Sequence, residues 1–293
     1  LSQELHFPKA SVSAAIALID EGATIPFIAR YRKEATGSMD DQTLRTLFER
    51  LSYLRGMEKR RQEIRQQIES QGKLTDALRQ ALEQAQTLAA LEDLYLPYRP
   101  KRRTRASVAR EKGLAPLAQR IWEQKDTREQ LLELAYGFLS EEKQVESPQE
   151  ALSGAMDIVA ETVSDDAQLR SILRQFYEKD GTIVSRAAAP KKGDDLSPAS
   201  RHKEKADVYE MYADYSEGVS KIPGHRILAL DRGEREGLLK VSVEVDPQRA
   251  LALTLRHLGC AESESPVLAE AAKDAYNRLI HPALERELAS SLS

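Results

Sequence analysis

Apolar residues recur at helical spacing along most of the 293-residue chain, and residues that begin or end helices bound each run. Val12, Ala15 and Ile19 lie on one stripe, and Gly22 follows in a position that ends helices. The longest run covers residues 40–71, which would form a helix about 45 Å long at 1.5 Å per residue. The pattern predicts a mainly α fold, arranged as an elongated multi-helix assembly around this long central helix.

One stretch departs from the helical period. Residues 226–231 and 238–245 show the alternating side-chain pattern of strands and are joined through Gly233 and Gly237. This predicts a small β-hairpin. Residues 190–200 are polar and aperiodic, which predicts an exposed loop. We divide the chain into an N-terminal helical region (1–110), a helical middle region (111–220) and a region with the hairpin and further helices (221–293).

The composition is that of a globular protein. Hydrophobic residues make up 41% and charged residues 31%, and the formal net charge is −4. No window approaches the roughly 18 apolar residues of a membrane span, so we expect no membrane contact. The single cysteine, Cys260, excludes an intramolecular disulfide and fits a reducing cytosol. The net charge excludes a wholly basic surface but not a local basic patch, because phosphate binding depends on where the cations lie.

The most basic segment follows Tyr95 and Tyr98. Pro97 and Pro100 predict an extended backbone there, and extended backbone beside arginines and aromatic rings suits a single strand or a phosphate backbone. The alternative is that the arginines pair with acids of neighbouring helices and fix the connector. The segment holds six cations and no acid: Arg99, Lys101, Arg102, Arg103, Arg105 and Arg110.

A second basic segment follows the turn at Gly22. Two short helices joined by such a turn are compatible with a helix-turn-helix, which would place Arg30, Arg32 and Lys33 on phosphates. In the alternative interpretation Phe27, Ile28 and Tyr31 belong to the core, and the cations form interhelical salt bridges. A third set on the long helix alternates with Glu58 and Glu63, which indicates a solvated face with supporting ion pairs. Its members are Arg55, Lys59, Arg60, Arg61 and Arg65.

Signatures of catalysis are missing from the sequence. The five histidines are scattered, and none has a second ligand at metal-binding spacing. Gly233 and Gly237 fit neither the P-loop nor the dinucleotide-binding fingerprint. Cys260 follows Gly259 at a helix end, as a small structural residue would. We therefore expect no enzymatic activity, no cofactor and no metal.

Two long motifs resemble the Tex family of bacterial transcription accessory proteins. They are residues 20–34 (DEGATIPFIARYRKE) and residues 91–105 (LEDLYLPYRPKRRTR), and the resemblance continues through the last helix. It implies a cytoplasmic factor of transcription and RNA metabolism, with an architecture similar to that of a eukaryotic elongation factor. It also implies that RNase H-like, helix-hairpin-helix and RNA-binding OB-fold domains follow the region matched here. Asp231 departs from the family pattern, which has an apolar or aromatic residue before Arg-Gly.

These observations favour a nucleic-acid-binding transcription accessory factor whose N-terminal helical scaffold contacts the phosphate backbone without sequence preference. The expected partners are RNA or DNA, together with RNA polymerase or other transcription components. The alternative is a structural module that docks protein partners, with nucleic acid bound by domains outside this chain. The candidate contacts, in order, are Arg99, Lys101, Arg102, Arg103 and Arg105, followed by Arg30, Arg32 and Lys33.

Overall fold

The computed structural model describes residues 1–100, 103–188, 208–261, 263 and 265–292. Contacts divide the chain into two compact units, Leu1–Tyr98 (the N-terminal unit) and Arg99–Ser293 (the C-terminal unit). The predicted mainly α fold is confirmed. The loop predicted at residues 190–200 lies outside the described residues, and the division into three regions stays a prediction.

The N-terminal unit is helical throughout. Its long helix α5 begins after Asp40, whose carboxylate accepts the Thr43 N–H at 2.8 Å. Gly56 lies within this helix and does not end it. The helices are α1 (Ser2–Leu5), α2 (Lys9–Asp20), α3 (Ile25–Tyr31), α4 (Lys33–Thr36), α5 (Asp41–Ser70), α6 (Asp76–Gln84) and α7 (Leu88–Tyr95), followed by a 3₁₀ turn (Leu96–Tyr98).

Two separate apolar clusters hold this unit together. The first joins α2, α3 and α5 and is centred on the buried residues Val12, Ile28, Leu44 and Leu47. The second joins the C-terminal half of α5 to α6 and α7, and it includes the buried ring of Tyr95. Because α5 contributes to both clusters, it links the two halves of the unit.

The C-terminal unit packs helices around α11, beside a small sheet. A π-helical segment, Ala275–Ile280, directly precedes the helix that contains Pro282. Its helices are α8 (Arg105–Glu111), α9 (Ala115–Glu123), α10 (Arg128–Ala135), α11 (Pro148–Ser164), α12 (Ala167–Asp180), α13 (Gly224–Arg235), α14 (Pro247–His257), α15 (Pro266–Asp274) and α16 (His281–Leu292), with 3₁₀ turns at Tyr136–Phe138 and Glu210–Tyr212.

The predicted β-hairpin is wrong in its first strand. Residues 226–231 belong to helix α13, in which Ile227 and Leu230 are three residues apart and both pack against the core of the unit. The second segment is strand β3 (Leu239–Glu244), which pairs with β1 (Thr182–Ala187). The described sheet is antiparallel in the order β2-β1-β3, where β2 is Asp214–Gly218. A short apolar run does not distinguish a helix from a strand.

A polar cluster lies within this otherwise apolar core. The hydroxyl of Tyr177 is 3.0 Å from the hydroxyl of Tyr276 and 2.5 Å from Nδ1 of His281. Both tyrosines are buried, and burial raises the pKa of each hydroxyl. The cluster ties α12 to the π-helical segment and to the start of α16.

Membrane-spanning helices are not found in the part of the chain that the structure describes, because none of its helices combines the length and the apolar character that a span needs.

Candidate nucleic-acid interface

Helix α3 has one buried side and one exposed side. It begins after the extended residue Thr24, with Pro26 in its first turn. Ile28 is fully buried in the first apolar cluster of the N-terminal unit. Phe27 and Tyr31, in contrast, are 41% and 63% exposed. The interpretation that all three residues belong to the core therefore holds only for Ile28.

The two exposed rings lie next to each other. Phe27 and Tyr31 are four residues apart on the helix, and their ring centroids are 5.4 Å apart with the planes tilted by 44°. The guanidinium carbon of Arg32 lies 5.6 Å from the centroid of the Phe27 ring, which is a cation–π distance. Aromatic faces beside a guanidinium form the kind of surface on which unpaired bases stack.

Three exposed cations accompany these rings. Arg30, Arg32 and Lys33 are exposed, and within the described part of the chain no acidic side chain lies within salt-bridge distance of them. The interhelical salt bridges of the alternative interpretation are therefore not formed there. We call Phe27, Arg30, Tyr31, Arg32 and Lys33 the α3 surface.

The backbone beneath the α3 surface is well braced. The hydroxyl of the buried residue Thr36 donates to the carbonyl of Arg32 at 3.0 Å. Helix α4 then ends at Gly37, whose φ of 67° is in the left-handed region that favours glycine. A Cβ atom at Gly37 would lie 2.8 Å from Oγ of Ser11, so the turn packs closely against α2. This turn holds the cations of the α3 surface in place.

Most of the cations on helix α5, unlike those of the α3 surface, form ion pairs with acidic side chains. Arg55 holds Asp20 through two bonds of 2.7 and 2.8 Å, and this lowers the pKa of that carboxyl. Arg60 donates to Glu92 at 2.6 Å, and Arg61 pairs with Glu58. The predicted ion pairs are therefore formed by these arginines, but the predicted solvated face holds only for Arg55, Lys59 and Arg65, which are exposed. Arg60 and Arg61 are half-buried, and Arg61 also donates to the backbone carbonyls of Leu82 and Ala85.

The aromatic part of the first basic segment differs from its prediction. Tyr95 is buried in the second apolar cluster, and its hydroxyl donates to Gln67. Residues Leu96–Tyr98 form a 3₁₀ turn rather than extended backbone, and the Tyr98 carbonyl accepts a bond from Gln71 at 2.9 Å. The Tyr95 ring therefore belongs to the core, and the partly buried Tyr98 ring packs against the same cluster.

The cations of that segment have mixed surroundings. Arg99 is exposed, and the described residues place no acid within salt-bridge distance of it. Lys101 and Arg102 lie outside the described residues. Arg103 is 76% exposed and pairs loosely with Glu111 at 3.6 Å.

The next two cations along the chain, Arg105 and Arg110, lie near acidic side chains. Arg105 is exposed at the start of α8 and lines a polar cavity of about 530 Å³ together with Asp157. Burial raises the pKa of Asp157, and the neighbouring Arg278 and Arg105 oppose that shift. Arg110 donates to the buried carboxylate of Glu161 at 2.5 Å, as does Thr104 at 3.0 Å. The bonds to Glu161 thus fix the C-terminal end of the basic segment. For Arg110 this is the ion pair with a neighbouring helix that the alternative interpretation predicted.

Groups that could support catalysis are dispersed over the part of the chain that the structure describes. No cluster of three histidine, cysteine or acidic side chains that could hold a metal occurs among those residues. Cys260 is buried, and its Sγ lies 3.7 Å from the Ser265 carbonyl oxygen. His257 lies 3.0 Å from Asp166, where it joins α14 to the start of α12.

Comparison with known proteins identifies the family. A family model described as a Tex-like protein N-terminal domain matches residues 1–69, and one described as Tex central region-like matches residues 126–293. Protein YdcI of Bacillus subtilis is 41% identical over 100% of this chain and 40% of its own length. Transcriptional accessory protein Tex of Neisseria gonorrhoeae is 42% identical over 84% of this chain and 31% of its own length.

A more distant relative has a eukaryotic source. S1 RNA-binding domain-containing protein 1 of Homo sapiens is 27% identical over 95% of this chain and 28% of its own length. The chain therefore spans less than half the length of each of these three relatives. The central-region match alone covers more than half of the chain, and with the N-terminal match it shows that the chain belongs to the Tex family.

Proposed function

We propose that this chain is part of a transcription accessory factor and that its α3 surface contacts single-stranded RNA or DNA without sequence preference. The observation that carries the proposal is the exposed pair Phe27 and Tyr31, flanked by three cations that form no salt bridge with any acid among the residues that the structure describes. The proposed role is binding without catalysis, in the cytoplasm, and it requires no cofactor. RNA polymerase or another transcription component is the expected protein partner.

The physical argument has two parts. Every base has a π face, so stacking on Phe27 and Tyr31 tolerates any sequence. The cations Arg30, Arg32 and Lys33 add phosphate contacts, whose free energy comes largely from counterion release and therefore depends on salt. The same cations on a duplex would lack the stacking contribution, because bases within a duplex are already stacked. A preference for single strands follows.

The names of two relatives support a role of this kind. One is called a transcriptional accessory protein, and another is named for an S1 RNA-binding domain. Both are much longer than this chain, so their names describe more than the region matched here. They support an association with RNA and transcription for the full-length protein, to which the α3 surface would add contacts.

The basic segment after Tyr98 is the second candidate interface. Arg99 and Arg103 are exposed, and Arg105 lines the polar cavity. With Lys101 and Arg102, these residues would provide phosphate contacts, but the neighbouring tyrosines are occupied in the core. We therefore expect this segment to add affinity for both single strands and duplexes, with no preference between them.

The experiment that tests the proposal is fluorescence anisotropy on this chain. Labelled single-stranded RNA, single-stranded DNA and duplex DNA are titrated at several salt concentrations. We expect salt-dependent binding that is tighter for the single strands. Absence of binding to all three at low salt would exclude the proposed function.

Neutralising the cations of the α3 surface is expected to weaken binding and its salt dependence. In the triple variant Arg30→Ala, Arg32→Ala and Lys33→Ala, the slope of log K against log salt should decrease in magnitude by about 2, because each single-strand phosphate contact contributes about 0.7. The matched control replaces Lys59, Arg65 and Lys73, three exposed cations of the same unit, by alanine. An equal change in both variants would mean that only net charge matters.

Removing one exposed ring is expected to weaken binding without changing the salt slope. Tyr31→Ala should cost about 1–3 kcal/mol of binding free energy to a single strand, the usual value of one stacked base. Tyr136→Ala is the matched control, because Tyr136 is 64% exposed and Tyr31 is 63% exposed. Anisotropy measures both, and unchanged affinity of Tyr31→Ala would show that the ring takes no part.

Protein docking is the second candidate function, and the same surface gives it a specific basis. Exposed tyrosine, phenylalanine and arginine side chains are enriched at the centres of protein interfaces. The engagement of Arg110 by Glu161 also removes one cation of the basic segment from phosphate binding. If the α3 surface docks a protein, the variants of its cations and of Tyr31 will leave the affinity for nucleic acid unchanged. Tyr31→Ala will instead weaken the complex with RNA polymerase in a pull-down with purified components.

A further inference from the structure

Strand β3 lies at an edge of the described sheet, because the strand order is β2-β1-β3. In an antiparallel ladder, the backbone groups of alternate residues point away from the neighbouring strand. On β3 these residues include Val241 and Val243, which are opposite Ser185 and Ile183 of β1. An edge of this kind is a template for pairing with a further strand.

The outward amides of β3 are held by side chains. The Val241 N–H donates to a carboxylate oxygen of Glu234 on α13 at 3.2 Å, and the Val243 N–H donates to Glu285 on α16 at 3.3 Å. Both distances are at the long end of the range for N–H···O bonds. The carboxylates thus satisfy both amides without a further strand, and a backbone that pairs with this edge must displace them.

The outward carbonyls of β3 are not satisfied in this way. By the same alternation, the carbonyls of Val241 and Val243 point to the side of their amides. Within the described residues, no group donates a hydrogen bond to either of these carbonyls. The edge therefore offers alternating donors and acceptors, which is the pattern that an extended peptide backbone complements.

A mainly apolar groove accompanies this edge. It has a volume of about 270 Å³ and lies between α13, β3 and α16, with Ile227, Leu230 and Leu292 among its lining residues. Three acids and one arginine complete the lining: Asp231, Glu234, Glu285 and Arg286. An occupant with apolar and basic side chains would match this surface in both polarity and charge.

We propose that the β3 edge binds an extended, basic and apolar peptide segment of another protein as a fourth strand. The peptide backbone pairs with Val241 and Val243 and displaces the carboxylates of Glu234 and Glu285. Alternate apolar side chains enter the groove, and basic side chains meet the released carboxylates of Glu234 and Glu285. This surface is independent of the α3 surface, because all of its residues belong to the C-terminal unit.

The test uses a fluorescein-labelled peptide of alternating lysine and valine, about six residues long, the usual length of a strand. Its control has the same side chains but carries a methyl group on every second backbone nitrogen, which removes the donors along one edge. Anisotropy should show at least about tenfold tighter binding of the unmethylated peptide, which corresponds to roughly 1.4 kcal/mol. Equal binding of the two peptides would overturn the proposal.

Two tryptophan variants locate the site. Ala289 is exposed on α16 and lines the groove, so Ala289→Trp should fill it and abolish the difference between the peptides. Ser290 is the next exposed residue and does not line the groove, so Ser290→Trp should bind like the unmodified chain. Far-UV circular dichroism checks that both variants are folded. Unchanged peptide binding by Ala289→Trp would overturn the proposal.

Sedimentation velocity tests whether a second copy of this chain, rather than a peptide of another protein, occupies the groove. If the chain dimerises, if Ala289→Trp makes it monomeric and if neither peptide binds, the occupant is a second copy and the proposal is wrong. We expect instead a monomer, with the fluorescein label sedimenting together with the chain only when it is carried by the unmethylated peptide.

Discussion

Replacing Ile28 with alanine is expected to lower the free energy of unfolding of the N-terminal unit by about 2–5 kcal/mol, the usual cost of this change in a core. Ile28 is fully buried in the first apolar cluster, together with the buried side chains of Met39, Leu44 and Leu47. The change removes buried methyl groups and leaves a cavity where they lay. The variant should also lose nucleic-acid binding, because Ile28 anchors the helix that carries the α3 surface.

The unfolding of the two units can be followed by different probes. The chain has one tryptophan, Trp122, which belongs to the C-terminal unit, whereas far-UV circular dichroism reports the helices of both units. In urea, Ile28→Ala should shift the transition seen by circular dichroism but not the transition seen by tryptophan fluorescence. A shift of equal size in the circular dichroism and fluorescence transitions would contradict the expectation that Ile28 stabilises the N-terminal unit alone.

Phe27→Ala is the matched control for stability. Phe27 is adjacent to Ile28 but 41% exposed, so its removal should change the free energy of unfolding by less than about 0.5 kcal/mol. If Phe27 stacks on a base, this variant loses affinity while keeping its stability. The pair of variants therefore separates the role of α3 in folding from its role in binding.

The helices were predictable because their signals are local. The apolar spacing of Leu44, Leu47, Ile64 and Ile68 predicted α5, and all four side chains are buried. Its start at Asp40 was predictable as well, since a carboxylate just before a helix accepts a hydrogen bond from a backbone N–H of the first turn that has no partner within the helix. The family was identifiable from two long motifs, because chance agreement over 15 residues is improbable.

The pairing of the strands was not predictable from local pattern. Strand β1 has the β-branched residues Thr182, Ile183 and Val184, but it follows helix α12 directly, and the segment predicted as a loop at residues 190–200 separates it from both partner strands. Its pairing with β3 joins residues far apart in the sequence, and such contacts depend on the whole fold. Residues of helix α13 were assigned to a strand because their short apolar run was interpreted as alternating, and a run this short does not distinguish a strand from a helix.

The surroundings of the candidate site residues also required the structure. Tyr95 and Tyr31 each lie close to cations in the sequence, yet Tyr95 is buried and Tyr31 is 63% exposed. Tyr95 faces the cluster formed by α5, α6 and α7, whereas Tyr31 is at the end of a seven-residue helix that buries only Ile28. The sequence contains the residue types, but the packing of neighbouring helices decides which ring is accessible.

Raising the pH above about 10 is expected to destabilise the C-terminal unit through Tyr177 and Tyr276. Burial raises the pKa of both hydroxyls above the value in the unfolded chain. Their contribution to stability is therefore complete below about pH 10 and is lost as the pH rises towards the folded pKa, at no more than about 1.4 kcal/mol per pH unit for each tyrosine. Urea denaturation followed through Trp122 should show a free energy of unfolding that falls as the pH rises above about 10.

The variant Tyr177→Phe isolates one hydroxyl of this pair. At neutral pH it should be less stable by about 1–3 kcal/mol, because the hydroxyl of Tyr276 and Nδ1 of His281 each lose a hydrogen-bonding partner. Above about pH 10 its stability should fall less steeply than that of the unmodified chain, by about 1.4 kcal/mol per pH unit. The two stability curves should therefore converge one to two pH units above the normal tyrosine pKa of about 10. Curves that remain parallel would show that the folded protein does not retain the Tyr177 proton, since the other titrating groups are common to both proteins.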